Sequence, residues 1–210
     1  MKRILTIAVS LAVVIGLTGC TSSEPAPKET TKAPTSTNES LTSAAVKLTY
    51  TNYLNDLNAI SYEKDIVPII DPLLADGTMS QEEQDTLVKD LKAKFPTVFG
   101  RIYIPTNEEN YDSIIFSYYS SYVASLEANN VQKDYEVPTD SIQMNGRVSV
   151  VNNETLKITN IKSDAEVQNF LSNETALVYV DNKWQIIPDY IVDSVDLAAF
   201  NNINSESANQ

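Results

Sequence analysis

The chain of 210 residues contains no histidine and a single cysteine. Without imidazole there is no histidine general base, no Ser-His-Asp or Cys-His nucleophile, and almost none of the zinc, copper or haem sites built on side-chain nitrogen. One cysteine excludes an intrachain disulfide and any thiolate cluster. Glycine is scarce, five in all, and those past the first twenty residues (Gly77, Gly100 and Gly146) stand alone. Neither a P-loop nor a dinucleotide fingerprint can be assembled from them. Bases are few and scattered, 15 against 28 acids, for a formal charge of −13, so nucleic acid is not expected as a partner. No cofactor is expected. The longest apolar run, residues 4–17, is also short for a membrane span, which needs about 20 residues.

What is present begins with Lys2 and Arg3, followed by that apolar run and then Leu17-Thr18-Gly19-Cys20. A basic start, an apolar stretch and a small-residue end make a secretory signal, residues 1–19. Its last four positions resemble the lipobox of bacterial lipoproteins. The resemblance implies that the Cys20 thiol receives a diacylglyceryl group and that cleavage just before it makes Cys20 the lipidated first residue. Two acyl chains, at about 0.8 kcal/mol per buried CH2, anchor stably where one is marginal. The bilayer would then be a partner through Cys20, and the chain a cell-membrane protein on the extracytoplasmic face. Losing the leader removes two bases and no acid, taking the formal charge from −13 to −15, which repels the domain from anionic lipid.

Residues 20–40 read as a lipidated, disordered tether. Positions 21–40 hold nine Ser or Thr, three Pro (Pro25, Pro27, Pro34) and no large apolar residue, too little to offset the entropy of ordering. Its root-mean-square span is roughly 25 Å. Residues 41–200 carry a regular hydrophobic pattern and read as one domain; residues 201–210 form a polar tail. Two Asn-Glu-Thr triplets, at 153–155 and 173–175, read as turn chemistry.

In the first half, Val46, Tyr50, Tyr53, Leu54, Leu57 and Ile60 recur at spacings of three and four, which predicts a helix over 41–60. Ile66, Val67, Ile69, Ile70, Leu73 and Leu74 follow, broken by Pro68 and Pro72, so this run is helical only in part or kinked. Ser80 and Glu83 have capping-box spacing and open a helix over 81–94 that buries Leu87, Val88 and Leu91. Thr106 and Glu109 repeat the spacing ahead of a stripe of Tyr111, Ile114, Ile115, Tyr118, Tyr119, Tyr122, Val123 and Leu126.

After Pro138 the period changes. Residues 141–144 and 147–151 around Asn145-Gly146 predict a hairpin with a type I′ turn. Leu156 and Ile158 suggest a third strand, Ser163 and Glu166 another capping box with Val167, Phe170 and Leu171 behind it, and residues 176–180 and 184–187 a second hairpin around Asp181-Asn182-Lys183. The fold class is therefore α+β, with N-terminal helices packed on a C-terminal antiparallel sheet. The stretch Ala176-Leu177-Val178-Tyr179-Val180-Asp181-Asn182-Lys183-Trp184-Gln185-Ile186-Ile187 resembles the last hairpin of NTF2-like, cystatin-related domains of envelope lipoproteins. That resemblance implies a curved sheet wrapped on a helix, often with a cone-shaped pocket, and transfers no functional residue.

Asp76, Gly77 and Glu83 fall at the spacing of half an EF-hand loop, but Pro72 and Leu74 stand where ligands should be, so a structural turn is expected. The acid pairs Glu82/Glu83, Glu108/Glu109 and Asp193/Asp196 sit where helix starts attract negative charge. The 11 tyrosines are unusual. Tyr118, Tyr119 and Tyr122 share a helix face and, with Trp184, either fill the core or line a pocket for an aromatic or lipid-like ligand. The expectation is a non-catalytic domain that binds an envelope protein or a small ligand. The alternatives are a carrier of a hydrophobic ligand in a Tyr/Trp pocket and, behind it, a carboxylate-based enzyme.

Overall fold

The computed structural model describes residues 39–74, 79–105, 111–162 and 171–202. The signal, Cys20, the spacer up to residue 38, Asp76 and Gly77, the expected capping boxes at 106–109 and 163–166 with Val167 and Phe170, and residues 203–210 lie outside the described residues. So do the side chains of Leu74, Tyr111 and Ile114.

Helix α1 spans Ser43–Ala59, with the Thr42 side chain accepting from the Ala45 amide. It buries Val46, Tyr50, Tyr53, Leu54 and Leu57, the face that the spacing predicts. The proline-punctuated run after it is broken into a π turn (Tyr62–Ile66), one turn of α2 (Val67–Ile70) and a 3-10 turn (Asp71–Leu74). Pro68 falls in the first turn of α2, where its missing N–H costs nothing. Helix α3 (Gln81–Lys94) opens on the expected box: Glu83 N–H donates to Ser80 Oγ at 3.4 Å, and Ser80 N–H donates to Glu83 Oε2 at 2.7 Å. Helix α4 (Tyr111–Ala128) buries Ile115, Tyr119, Val123 and Leu126.

The strands form two sheets. Strands β2 (Ile142–Asn145), β3 (Val148–Asn152), β5 (Glu174–Val180) and β6 (Lys183–Ile187) make an antiparallel meander in the order β2-β3-β5-β6. The third strand suggested at Leu156 and Ile158 is real, as β4 (Lys157–Lys162), but it leaves that sheet and pairs with β1 (Gln132–Glu136) in a separate two-stranded ribbon. Strand β1 carries one buried residue, Tyr135, so its sequence offers no alternation to read.

Five consecutive residues of β5 and four of β6 are buried. Side chains alternate across a sheet, so such runs require cover on both faces. Leu177, Tyr179, Trp184 and Ile186 join Val151 against α1, α3 and α4. Val148, Ala176, Val178 and Ile187 face the other way, onto Ile191 and Phe200, carried by the short helices α5 (Asp189–Val192) and α6 (Leu197–Asn202). Asp196 starts α6 by accepting from the Ala198 amide at 3.0 Å, as its position suggested.

The two hairpins exchange the expected turn chemistry. Between β2 and β3 the loop is Gly146-Arg147, not Asn145-Gly146, because Asn145 pairs with Val148. Positive φ occurs at Gly146 (+62°) alone, the type II′ pattern rather than type I′. This register sets Ile142 opposite Val151, where the expected one would have set it opposite Ser149. The other hairpin turns on Asp181 and Asn182, both with positive φ (52° and 60°), which is type I′ without glycine. Lys183 is already in strand. Gly146→Ala is expected to cost about 1–2 kcal/mol in urea unfolding, because a side chain at this φ is strained. Its Cβ would also lie 2.5 Å from Asn201 Oδ1. Gly100→Ala, with nearest neighbours at 3.6 and 3.7 Å, should stay within about 0.5 kcal/mol of wild type; equal losses would contradict the assigned turn.

Candidate functional site

A phenol leaves water readily through its ring and reluctantly through its hydroxyl. Three tyrosines meet where α1 crosses the sheet and α4. Tyr50 and Tyr53, on successive turns of α1, stack with centroids 5.9 Å apart, and Tyr119 of α4 meets Tyr53 edge-on at 6.3 Å. All three are buried. The Tyr53 and Tyr119 hydroxyls bond each other.

Tyr50 reaches across the molecule. Its hydroxyl lies 2.9 Å from Asn153 Oδ1 and 2.8 Å from Thr175 Oγ1, and Asn153 Nδ2 donates to Thr175 Oγ1 at 2.8 Å. The three contacts close a ring in which the Tyr50 hydroxyl donates toward Asn153 Oδ1 and Thr175 Oγ1, and Thr175 Oγ1 also accepts from Asn153 Nδ2. The members come from both Asn-Glu-Thr triplets. The Asn153 amide also donates to the Asn173 carbonyl at 2.8 Å, so the triplets meet at the ends of β3 and β5. Their repetition in the sequence was the available signal for this contact.

The remaining space beside this cluster is about 20 Å³, lined by Tyr50, Tyr53, Tyr118, Tyr119, Thr175 and Asp189 among others. That is room for one water, against the 300–1,000 Å³ typical of pockets for organic ligands. Of the four aromatic residues singled out from the sequence, Tyr118 and Tyr119 share this wall. Tyr119 is core, whereas Tyr118 is 41% exposed. Tyr122, half-buried, places its hydroxyl 3.4 Å from Asn58 Oδ1 and does not line the space. Trp184 is fully buried elsewhere, edge-on to Tyr179 at 5.5 Å. Asp189 at the wall is pushed above the usual carboxylate range by partial burial, an effect opposed by its hydrogen bonds from Ser172.

Trp184 marks a second arrangement, invisible in the sequence. Glu39 and Ser40, which composition assigns to the spacer, are held on the outer edge of β6. The Glu39 amide donates to the Asn182 carbonyl at 2.9 Å and Trp184 N–H donates to Glu39 Oε2 at 2.9 Å. Arg101 Nη2 pairs with Glu39 Oε1 at 2.6 Å, and the Trp184 indole N–H reaches the Ser40 carbonyl at 3.1 Å. Farther along this edge, the Tyr103 amide donates to the Ile186 carbonyl at 2.8 Å.

The chemistry open to these groups is limited. Burial holds the hydroxyls of Tyr50, Tyr53, Tyr119 and Tyr122 well above the ordinary phenol range, which makes them poor bases near neutrality. Glu83 and Asp196 serve helix starts. Among the described residues no three His, Cys, Asp or Glu side chains come together as a metal site. Comparison of the chain with protein-family models, with curated proteins and with solved structures finds no match in any of the three.

The raised phenols link stability to alkaline pH. Their folded forms hold protons more tightly than the unfolded chain, whose tyrosines titrate near about pH 10. Stability is therefore full below that pH and declines above it. Phenolate absorbance from the buried tyrosines should appear only together with loss of circular dichroism. Smooth ionisation of every tyrosine near pH 10 with the fold intact would contradict the burial described.

Proposed function

We propose that the mature chain is a lipoprotein held on the extracytoplasmic face of a cell membrane by acyl chains on Cys20, and that its domain works by binding a protein partner rather than by catalysis. The observation that carries this reading is the leader: Lys2 and Arg3, an apolar run, then Leu17-Thr18-Gly19-Cys20. A chain so processed is displayed, not soluble, and needs no span of its own. Among the described residues no helix is long and apolar enough to cross a membrane.

The filled tyrosine cluster supports binding at the surface over carriage of a ring or lipid inside, since about 20 Å³ between those residues admits no such ligand. The spacer ends where Glu39 is fastened beside the Asp181-Asn182 turn, so the membrane connection enters at that corner of the sheet. Elsewhere the domain presents exposed apolar side chains, including Ile158 and Ile161 on β4.

The test is a detergent phase separation of the full chain expressed in a bacterium with lipoprotein processing. Wild type should enter the detergent phase with Cys20 as its first residue and the mass of a diacylglyceryl group added to it. Cys20→Ser should retain its leader or pass to the aqueous phase. A wild-type chain that stays aqueous, or keeps Met1, overturns the reading.

A further inference from the structure

Among the described residues β4 is the one strand whose every residue is exposed, and it pairs on one side only, with β1. At Tyr135 the β1 backbone is also met on the side away from β4. Where β1 turns away from β4, the Asn55 side chain accepts from Tyr135 N–H at 2.6 Å and donates to the Tyr135 carbonyl at 3.2 Å. Among the described residues the outer backbone edge of β4 has no such cover.

The side chains of β4 are specifically arranged. Tyr135 is opposite Ile158 and Asp134 is opposite Asn160, so Thr159 is an extra residue, a bulge. Without it, Ile158 and Ile161, three apart, would point to opposite faces. With it they stand opposite Tyr135 and Lys133, two apart on β1, and therefore share one face. They are 50% and 61% exposed. Lys157 and Lys162 bracket them, and Lys133 lies across from Ile161. The nearby acids are already engaged: Asp134 accepts from Asn160 Nδ2 at 3.1 Å, and Glu136 lies 3.8 Å from Lys47. Lys133, Lys157 and Lys162 make no ion pair among the described residues, in a chain of formal charge −13.

We propose that the outer edge of β4 receives an extended acidic segment of a partner protein, antiparallel, with the five-residue pattern acid, apolar, any, apolar, acid. Five is the number of residues β1 sets against the six of β4. In that register the acids face Lys162 and Lys157, and the two apolar residues lie on the face of Ile161 and Ile158. Strand addition of this kind takes its affinity from backbone hydrogen bonds and its choice of partner from the side chains. A second copy of the chain fits worse: centring Ile158 on Ile161 of the copy sets Lys157 against Lys162, and like charges directly opposite repel.

This proposal rests on the reading of the domain as a binding module and names its partner's chemistry. The probe is the fluorescently labelled peptide acetyl-Ser-Glu-Val-Thr-Val-Glu-Ser-amide, titrated into the full chain in nonionic detergent, with a counterpart carrying Lys for both Glu. The acidic peptide should bind about tenfold or more tightly than its counterpart. It should slow amide hydrogen exchange in residues 157–162, and the double variant Lys157→Glu/Lys162→Glu should reverse the preference. Equal binding of the two peptides, no binding of the acidic one, or protection confined to another strand overturns the proposal. So does a wild-type dimer that the double variant abolishes, or adsorption to phosphatidylglycerol vesicles through the same lysines. None of these outcomes touches the detergent partition of Cys20, so failure here leaves the lipoprotein reading standing.

Discussion

The domain depends on a phenol hydroxyl that has been taken out of water. Tyr50 sits at the middle of α1, fully buried, and a buried hydroxyl without a partner costs more than a hydrogen bond normally contributes. Only a specific placement of α1 over the sheet brings it within reach of both Asn153 and Thr175. Asn153 lies just past the end of β3 and Thr175 at the start of β5, so one side chain fixes helix, strand end and strand start together. Tyr53, one turn on, does the same toward α4 through Tyr119. Packing alone tolerates sliding; a closed hydrogen-bond ring does not.

With α1 seated, the remaining features follow from which sheet edges and faces need cover. One face of β5 and β6 lies against the helices, the other against α5 and α6. The outer edge of β6 is occupied by Glu39 and by the Tyr103 amide. Glu39 and Ser40 thereby complete the fold along that edge. Strand β4 is treated differently: among the described residues its outer edge is unpaired, and it carries lysines and a bulge, devices that discourage pairing with copies of itself. Among the described residues the tyrosine cluster is packed within and the outer edge of β4 is unpaired.

Much of this was legible along the chain, and the boundary of legibility is physical. Helices α1 and α3 could be read because their caps and spacing are local: Ser80 and Glu83 are three residues apart and bond each other. The hairpins were legible as hairpins, yet the Gly146 turn came out one residue later, since its register is decided by Ile142 meeting Val151, a contact the turn residues do not encode. Strand β1 was missed because one buried tyrosine makes no pattern, and the partner of β4 because it lies more than twenty residues away. Tyr119 and Trp184 were read with core and pocket both open, and the structure places both in the core. Tyr50 was seen only as one apolar position of a stripe, because its partners Asn153 and Thr175 are over a hundred residues distant.

The claim on which this account stands is that the tyrosine cluster is packed, with space for one water and nothing larger. Native mass spectrometry of the full chain purified from the cells that produce it, compared with the same sample denatured, tests it directly. The account predicts one mass in both conditions, that of the polypeptide with whatever is covalently attached. A small molecule that accompanies the folded protein and departs on denaturation, displaced by substitutions at Tyr118 or Tyr119, would contradict it.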